Sequence, residues 1–308
     1  MKLPKTLQEA IHYFADPDRC LDLLVAMRWP NGPVCPRCNS MRYGFLKSRS
    51  VWQCKECRKQ YTAKLGTIFE DSPIPLEKWF CALWLLVNAK NGISSYEVAR
   101  ALGVTQKTAW FMMHRLRLAL QKGSLDRKLM GDVEVDETYI GGEARNMHRD
   151  KQIKMKRQEG FLRKAVVVGM LERKGEVRAE VINRATSDWL KSMIKKHIVP
   201  GSNLYSDQWR GYLNAGKEYA HKVINHAEAY VQGNIHTNSI ESFWSLLKRG
   251  IKGTYVSVEP FHLFRYLDEQ SFRFNTRKDN DQGRFMAALS SVQGKRVDYK
   301  ELIGQTTC

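Results

Sequence analysis

Apolar residues in the first 120 positions recur at the three- and four-residue spacing of amphipathic helices. This pattern covers residues 1–31 and returns in "LEKWFCALWLLVNA", where Pro75 stands at an expected first-turn position. It continues through residues 94–102 and 105–120, which predict two helices joined by a tight turn at Gly103. Between residues 33 and 70 the chain shows short strand-like runs instead, such as "SVWQC" and "QYTAKLGTIF". This part is therefore predicted to combine helices with a small β-structure.

From residue 131 onward the apolar spacing shifts towards the alternation of β-strands. The segment "DVEVDETYIGG" predicts one strand, and two more flank a turn at Lys174 and Gly175. A helix capped by Thr186 or Ser187 follows, and residues 142–160 are predicted to form a mobile loop. Two short strands and two helices complete this region, in "SNLYSD", "HKVIN", "SIESFWSLLKRGI" and "PFHLFRYLDEQSFRFNTR". The fold class is accordingly α+β, with more than one domain.

The net charge of the chain indicates what kind of partner it binds. Of 308 residues, 50 are Lys or Arg and 32 are Asp or Glu, which gives a net charge of +18. Such a surface favours a polyanion, because each phosphate contact releases counterions, although a merely basic protein would show the same balance. No apolar run reaches the roughly 18 residues of a membrane span, and the N-terminus lacks the apolar core of a signal peptide. We expect a cytoplasmic protein without membrane contact.

Four of the seven cysteines fall in two close pairs, while Cys20, Cys81 and Cys308 are scattered. Two Cys-x-x-Cys turns can supply four thiolates in a tetrahedron, the arrangement that suits one structural Zn²⁺ ion. The alternative is a redox or accidental pairing. The spacing is typical of a zinc ribbon with no open coordination position, and its predicted ligands are Cys35, Cys38, Cys54 and Cys57.

The two helices around Gly103 have the order of a helix-turn-helix. Ser94 or Ser95 is expected to cap the first helix and Thr105 the second. The start of the second helix would enter a major groove, although a plain helical hairpin would give the same pattern. The predicted DNA-contacting residues are Gln106, Lys107 and Thr108.

Three acids occupy positions at which side chains can converge above a mixed sheet. Asp136 lies within a predicted strand, Asp207 ends another, and Glu241 lies in the first turn of a helix that opens at Asn238. Hard oxygen ligands of this kind hold Mg²⁺ or Mn²⁺. Two such ions about 4 Å apart serve phosphodiester displacement. Any one of these acids alone would be read as a solvated side chain.

The ordered set "VDETYIGG", "YSDQWRGY" and "HTNSIESFWSLLKRG" resembles the DDE transposases of bacterial insertion sequences. Together with the zinc ribbon, it is similar to insertion-sequence family fifteen ninety-five, also called ISXO-like. The resemblance implies a ribonuclease-H-like mixed-sheet α/β catalytic domain and maps the first two aspartates of that family to Asp136 and Asp207. It also maps Lys248 to the basic residue that follows the third acid. The implied enzyme binds terminal inverted repeats and target DNA, cleaves strands and transfers them, using two Mg²⁺ or Mn²⁺ ions. The resemblance also implies a bacterial protein that is associated with the nucleoid when it binds DNA.

The third ligand is open between two residues one turn apart. Asn238 can bind a metal through its amide oxygen, or it can cap the helix while Glu241 returns a bond as in a capping box. We favour Glu241 as the ligand, because a carboxylate neutralises a divalent ion better than an amide does.

Other residues near these motifs are weaker candidates. His236 is a candidate phosphate-positioning residue, although an ordinary loop histidine is favoured. Trp209 and Trp244 are weighed as base-stacking groups, with core packing preferred. At most one of Glu134 and Glu137 is expected near the metals. The predicted phosphate contacts are Arg210 and Arg249.

The predicted organisation has four parts: a helical segment and zinc ribbon in 1–70, a helix-turn-helix domain in 71–125, a catalytic domain in 126–290 and a tail in 291–308. Because two DNA ends must be paired, a homodimer or a higher homo-oligomer is expected on DNA. The alternatives are a domesticated or inactive transposase that acts as a DNA-binding regulator, and an RNA-binding or transcription-factor module.

Overall fold

The computed structural model describes two compact units, residues 1–122 with 276–308 and residues 123–275. The described residues are 3–121, 127–141, 149–150, 153, 164–182, 186–207, 218–224 and 236–305. The side chains of residues 207, 223 and 224 lie outside this description, as does most of the predicted loop at 142–160.

Helices dominate the first unit, and local side-chain caps fix where several of them begin. In chain order they are α1 Leu7–Phe14, α2 Pro17–Arg28, α3 Leu76–Asn88, α4 Ser95–Leu102 and α5 Gln106–Leu120. The predicted caps Ser94 and Thr105 are confirmed, since their side chains accept from the backbone N–H groups of Glu97 and Thr108. Gly103 turns the chain between α4 and α5 in the left-handed conformation, with φ 59°. Pro75 precedes α3 as its N-cap rather than lying in its first turn.

A small antiparallel sheet in this unit has the order β1-β2-β3. Its strands are β1 Tyr43–Leu46, β2 Val51–Cys54 and β3 Gln60–Tyr61, with a short 3₁₀ turn at Lys47–Arg49. The strand-like run predicted for residues 60–69 was too long. After Tyr61 the backbone N–H groups of Leu65 and Thr67 bond to nearby carbonyls, so strand β3 ends there. The rest of the run contributes only an isolated antiparallel bridge between Thr67 and Gln293.

The second unit is built on a five-stranded mixed sheet with the order β6-β5-β4-β7-β8. Strands β4, β5 and β6 pair antiparallel, and β7 and β8 run parallel to β4. Their bounds are β4 Asp132–Ile140, β5 Ala165–Glu172, β6 Val177–Ile182, β7 Asn203–Asp207 and β8 Ala220–Ile224. These strands confirm the predicted β-region, including the turn at Lys174, whose φ is 64°.

Helices cover both faces of this sheet. They are α6 Ser187–His197, α7 Asn238–Arg249 and α8 Leu263–Asn275, with a π-helical segment Gly250–Tyr255 and a 3₁₀ turn Pro260–His262 between the last two. Apolar residues of α6 pack with Val133, Val135 and Leu204 on one face. Those of α7 and α8 pack with Val167 and Leu171 on the other. The alternation of the strands thus assigns one helical layer to each face.

The chain after Asn275 returns to the first unit, where it forms α9 Asp281–Leu289 and α10 Tyr299–Leu302. Phe285 of α9 is fully buried and its ring lies 5.1 Å from that of Phe14 and 5.8 Å from that of Phe80. Residues 276–290, which sequence analysis grouped with the catalytic domain, therefore complete the aromatic core of the N-terminal unit. This core forms between segments far apart in the chain, so no local pattern reveals it.

Candidate functional site

The four predicted zinc ligands come together at one end of the small sheet. Their sulfur atoms all lie within 4.8 Å of one another. The Sγ–Sγ distances are 3.7 Å for Cys35 and Cys57 and 3.5 Å for Cys38 and Cys54. A tetrahedral ion with Zn–S bonds of about 2.3 Å would space its sulfurs at about 3.8 Å, so this donor set fits a structural zinc ion. In the part of the chain that the structure describes, no other group of three or more His, Cys or acidic side chains is so closely assembled.

Backbone geometry prepares these turns for thiolates. The backbone N–H groups of Cys57 and Glu56 donate to the sulfur of Cys54 and lower the pKa of this thiol to about 6, with the larger effect from Cys57. Each Cys-x-x-Cys turn is followed by a residue in the left-handed region, Asn39 with φ 56° and Arg58 with φ 57°. A thiolate is the form that binds zinc, so these backbone donors favour the zinc-binding form of Cys54.

Of the three predicted acids in the second unit, Asp136 lies on the sheet face that α7 covers. Asp136 is a half-buried residue of the central strand β4. The ladder between the parallel strands β4 and β7 pairs Glu134 with Tyr205. Asp136 and Asp207 each follow two residues later, so the two strands carry these acids to the same level of the sheet.

Trp244 of α7 links that helix directly to Asp136. Its indole Nε1–H donates to Asp136 Oδ2 at 2.9 Å, while the backbone N–H of Glu137 donates to Oδ1 at 2.9 Å. Trp244 is 4% exposed. The preferred interpretation of Trp244 as a core residue is confirmed, and the hydrogen bond to an acid of the site is an addition that the sequence did not suggest.

Glu134 anchors the first turn of α7 from below. Its carboxylate is fully buried, and Oε2 accepts from the backbone N–H of Ile240 at 2.9 Å. Its Oε1 accepts from Arg173 Nε at 2.9 Å and lies 3.4 Å from His236 Nδ1. Arg173 also donates to the backbone carbonyl of His236 at 2.6 Å. An acid on β4 thus stabilises the positive end of the helix dipole, and His236 belongs to this anchor.

A second polar group extends the anchor across the sheet to β7. Asn203 and the Tyr205 hydroxyl donate to Asp132 Oδ1 at 2.8 and 3.1 Å. The Asn203 amide, assisted by Tyr205, holds the pKa of Asp132 below its usual range. The guanidinium of Arg173 lies over the Tyr205 ring, 4.0 Å from its centroid. Sequence analysis missed both Asp132 and Arg173, because nothing in their local pattern distinguishes them from solvated charges.

The first turn of α7 differs from the predicted capping box. Thr237 is the N-cap, and Asn238 is the first helical residue, with an exposed side chain. The Thr237 hydroxyl donates to Glu241 Oε1 at 3.0 Å. Asn238 is therefore not the cap, because the backbone N–H of Ile240 is taken by Glu134 instead. Glu241 is exposed on the same turn.

Comparison with known proteins assigns the two sites to two domains of transposases. Residues 128–275 match the ISXO2-like transposase domain, and residues 16–60 match the transposase zinc-ribbon domain. Together these matches cover more than half of the chain. The chain belongs to the ISXO2-like transposase family. The acidic face lies within the matched transposase domain, and the four cysteines lie within the matched zinc ribbon.

Two relatives agree with this assignment. A protein of Halobacterium salinarum, described as an uncharacterized protein in transposable element ISH50, is 27% identical over 252 residues, which cover 78% of this chain and 84% of the relative. An uncharacterized transposase-like protein of Haemophilus influenzae is 28% identical over 125 residues, or 40% of this chain and 99% of the relative. No described helix of this chain is both long enough and apolar enough to cross a membrane.

The structure describes some of the basic residues that are predicted to contact DNA. Lys248 and Arg249 are exposed in the last turn of α7. Lys248 follows Glu241 by two helical turns, so the two side chains share one side of the helix. Trp209 and Arg210 lie outside the described residues.

The side chains at the start of α5 are less exposed than predicted. Gln106 is half-buried and donates from Nε2 to Ser95 Oγ at 2.9 Å. The Thr108 hydroxyl lies 2.8 Å from that of Thr105. Lys107 is exposed, and its ammonium nitrogen lies 4.7 Å from the ring centroid of Tyr299 in α10. Local partners thus orient all three residues.

Proposed function

We propose that this transposase binds the terminal inverted repeats of an insertion sequence and catalyses metal-dependent DNA cleavage and strand transfer. One observation carries the proposal within the transposase domain. Asp136 lies on the central strand, and a hydrogen bond joins it to the helix whose first turn presents Glu241. Asp207 ends the neighbouring parallel strand. We propose that the acids carried by these three elements form one metal site.

The sheet topology supports a ribonuclease-H-like arrangement. From β4 the chain proceeds through β5 and β6 on one side, and later through β7 and β8 on the other. The strand order therefore reverses between the parallel strands β4 and β7. In open α/β sheets, ligands bind at such switch points, outside the carboxyl ends of the strands. Asp207 is the last residue of β7.

The acids suit Mg²⁺ or Mn²⁺, because the donors are hard oxygen atoms. Asp136, Asp207 and Glu241 would hold the ions. When bound, two such ions supply the activation of a water or 3′-hydroxyl and the stabilisation of the leaving oxygen. The buried Glu134 is engaged by Arg173 and Ile240, so we assign it to support of the site rather than to metal binding.

We propose Glu241 as the third ligand, with Asn238 beside it on the same turn. The Thr237 hydroxyl bonds to one carboxylate oxygen of Glu241 and orients the side chain. The exposed Asn238 amide can contact the metal or the DNA backbone from the helix start. Lys248, two turns further on, is proposed to contact phosphate near the scissile bond.

DNA recognition is proposed for the zinc ribbon and for the start of α5. The net charge of +18 suits long phosphate-rich partners. Lys107 supplies a phosphate contact, and Gln106 and Thr108 approach base edges. Arg210 and Arg249 are proposed phosphate contacts. Pairing two DNA ends requires at least two copies of the chain.

The direct test uses the full chain and a duplex that carries the inverted repeat from the flanking DNA of the gene. With Mg²⁺, we expect a strand cut at the repeat end and joining of the new 3′-hydroxyl to target DNA. Asp136→Asn and Asp207→Asn should abolish both steps while retaining binding to the repeat. Binding by the wild-type chain without any metal-dependent cut would identify a regulatory DNA-binding protein and overturn the catalytic proposal.

A comparison of Glu241→Gln with Asn238→Ala assigns the third ligand. We expect Glu241→Gln to reduce cleavage by orders of magnitude, because it removes a metal-binding charge. Asn238→Ala should reduce it less. The reverse order would assign the ligand to Asn238.

A further inference from the structure

We propose that Trp244 is a positioning residue for Asp136, holding its carboxylate at the angle required for metal binding. The inference rests on the proposed function, because it assumes that Asp136 binds the ion. It assigns to a buried tryptophan a task beyond filling the core. Three independent features of the second unit carry it.

The first feature is the way in which Asp136 is held. Oδ2 accepts from the Trp244 indole and Oδ1 from the backbone N–H of Glu137, both at 2.9 Å. Two donors from different elements fix both the position and the rotation of the carboxylate. A carboxylate offers about four acceptor sites, so accepting these two bonds is compatible with holding a cation. Hydrogen bonds to ligating carboxylates orient them in the same manner in metal sites generally.

The second feature is the residue opposite Asp136 on β5. The strand register pairs Asp136 with Gly169. A Cβ atom at position 169 would lie 2.5 Å from Trp244 Cζ2, 2.6 Å from Cη2 and 3.0 Å from Ile240 Cδ1. The indole therefore occupies the space that any side chain at 169 would need. This close approach to the strand lets the Nε1–H reach the acid on the neighbouring strand.

The third feature is where Trp244 lies on α7. It follows Glu241 by three residues, and 4% of it is exposed. Burial excludes a stacking role on a DNA base. Because a helix is rigid over one turn, the bond that orients Asp136 also sets the placement of Glu241 relative to that acid. Trp244 thus joins two proposed metal ligands that are 105 positions apart in the sequence.

The test measures Mn²⁺ binding to the full chain by electron paramagnetic resonance of the free ion. Trp244→Phe retains an aromatic ring and removes the N–H donor. We expect its Mn²⁺ dissociation constant to rise by about 10- to 100-fold, the range found when a residue supporting a metal ligand is lost. Phe243→Leu is the matched control, since Phe243 is fully buried on the same helix and packs in the same core cluster. It should leave Mn²⁺ affinity near the wild-type value.

The outcomes separate the inference from the function on which it rests. Unchanged Mn²⁺ affinity in Trp244→Phe would overturn the positioning role. Equal weakening in Phe243→Leu would overturn it too, because packing alone would then explain the effect. If wild-type protein and Asp136→Asn bind Mn²⁺ equally, the proposed metal site itself fails, and the inference fails with it. A selective loss in Trp244→Phe supports both.

Discussion

The zinc-binding cluster and the proposed acidic site both depend on bringing side chains together, but over very different distances along the chain. The four cysteines lie in a short segment, with Cys35 and Cys57 separated by 22 positions. The acidic site joins residues 106 and 108 positions apart, through the Glu134–Ile240 and Asp136–Trp244 hydrogen bonds. The first site needs two local turns, whereas the second needs a completed sheet and a docked helix.

This difference determines which of the two sites stays folded without its metal. In the zinc ribbon, two turns beside a few short strands carry the ligands, so the ion itself contributes much of the folding free energy. In the transposase domain, the buried Glu134 and Trp244 hold α7 on the sheet through protein contacts alone. We therefore expect loss of metal to unfold the zinc ribbon and to leave the transposase domain folded.

The largest expected effect is at the cysteines. Cys54→Ser should abolish zinc binding and unfold residues 33–61, because structural zinc contributes about 10–16 kcal/mol in comparable small domains. Zinc content by mass spectrometry and hydrogen exchange across the ribbon measure this. Cys81→Ser, outside the cluster, is the control and should retain one zinc ion. A folded, zinc-free ribbon in Cys54→Ser would contradict the comparison.

The next effect tests the anchor of α7. Glu134→Ala leaves Arg173 without its buried partner and removes the acceptor for the Ile240 N–H, which should cost about 3–5 kcal/mol. Hydrogen exchange of peptides from α7 in the full chain should then accelerate. Glu134→Gln keeps the size of the side chain and should cost less. Unchanged protection of α7 in Glu134→Ala would show that apolar packing alone holds the helix.

A third, smaller effect tests the space beneath Trp244. Gly169→Ala places a methyl group against the indole ring and should cost about 1–3 kcal/mol by overpacking. It should also displace the indole from Asp136 and weaken Mn²⁺ binding. Gly253→Ala is the control, since a Cβ there meets nothing within 4 Å. Equal stability of the two variants would show that the contact at Gly169 relaxes without cost.

The smallest effect is expected on the opposite face of the sheet. A hydrogen bond from His197, aided by Lys196, lowers the pKa of Glu180 to about 2. The unfolded value is about 4.3, so this carboxylate stabilises the fold above that pH and loses its contribution as pH falls towards 2. The side chain is 32% exposed, so solvent screening reduces the gain. Glu180→Gln should flatten the acid limb of a pH–stability curve, without changing Mn²⁺ affinity at neutral pH.

Helices and turns were predictable where the contacts that form them lie between residues close in sequence. Helices α4 and α5, their caps and the Gly103 turn follow from neighbouring residues. The helix carrying Asn238 and Glu241 was predicted, but its cap was not. Thr237 takes the N-cap position, and the donor at Ile240 is satisfied by Glu134 from another strand. A distant carboxylate replaced the local cap, and nothing in the segment itself indicates that exchange.

The sequence by itself determined the zinc ligands, the strands of the transposase domain and the positions of the three acids along the chain. Spacing suffices there, because the relevant contacts span a few residues or repeat with the period of one element. Only the tertiary structure decided that Trp244 bonds to Asp136, that Glu134 anchors α7 and that Phe285 completes the N-terminal core. These contacts join segments about a hundred or more positions apart, and they exist only once the layers pack.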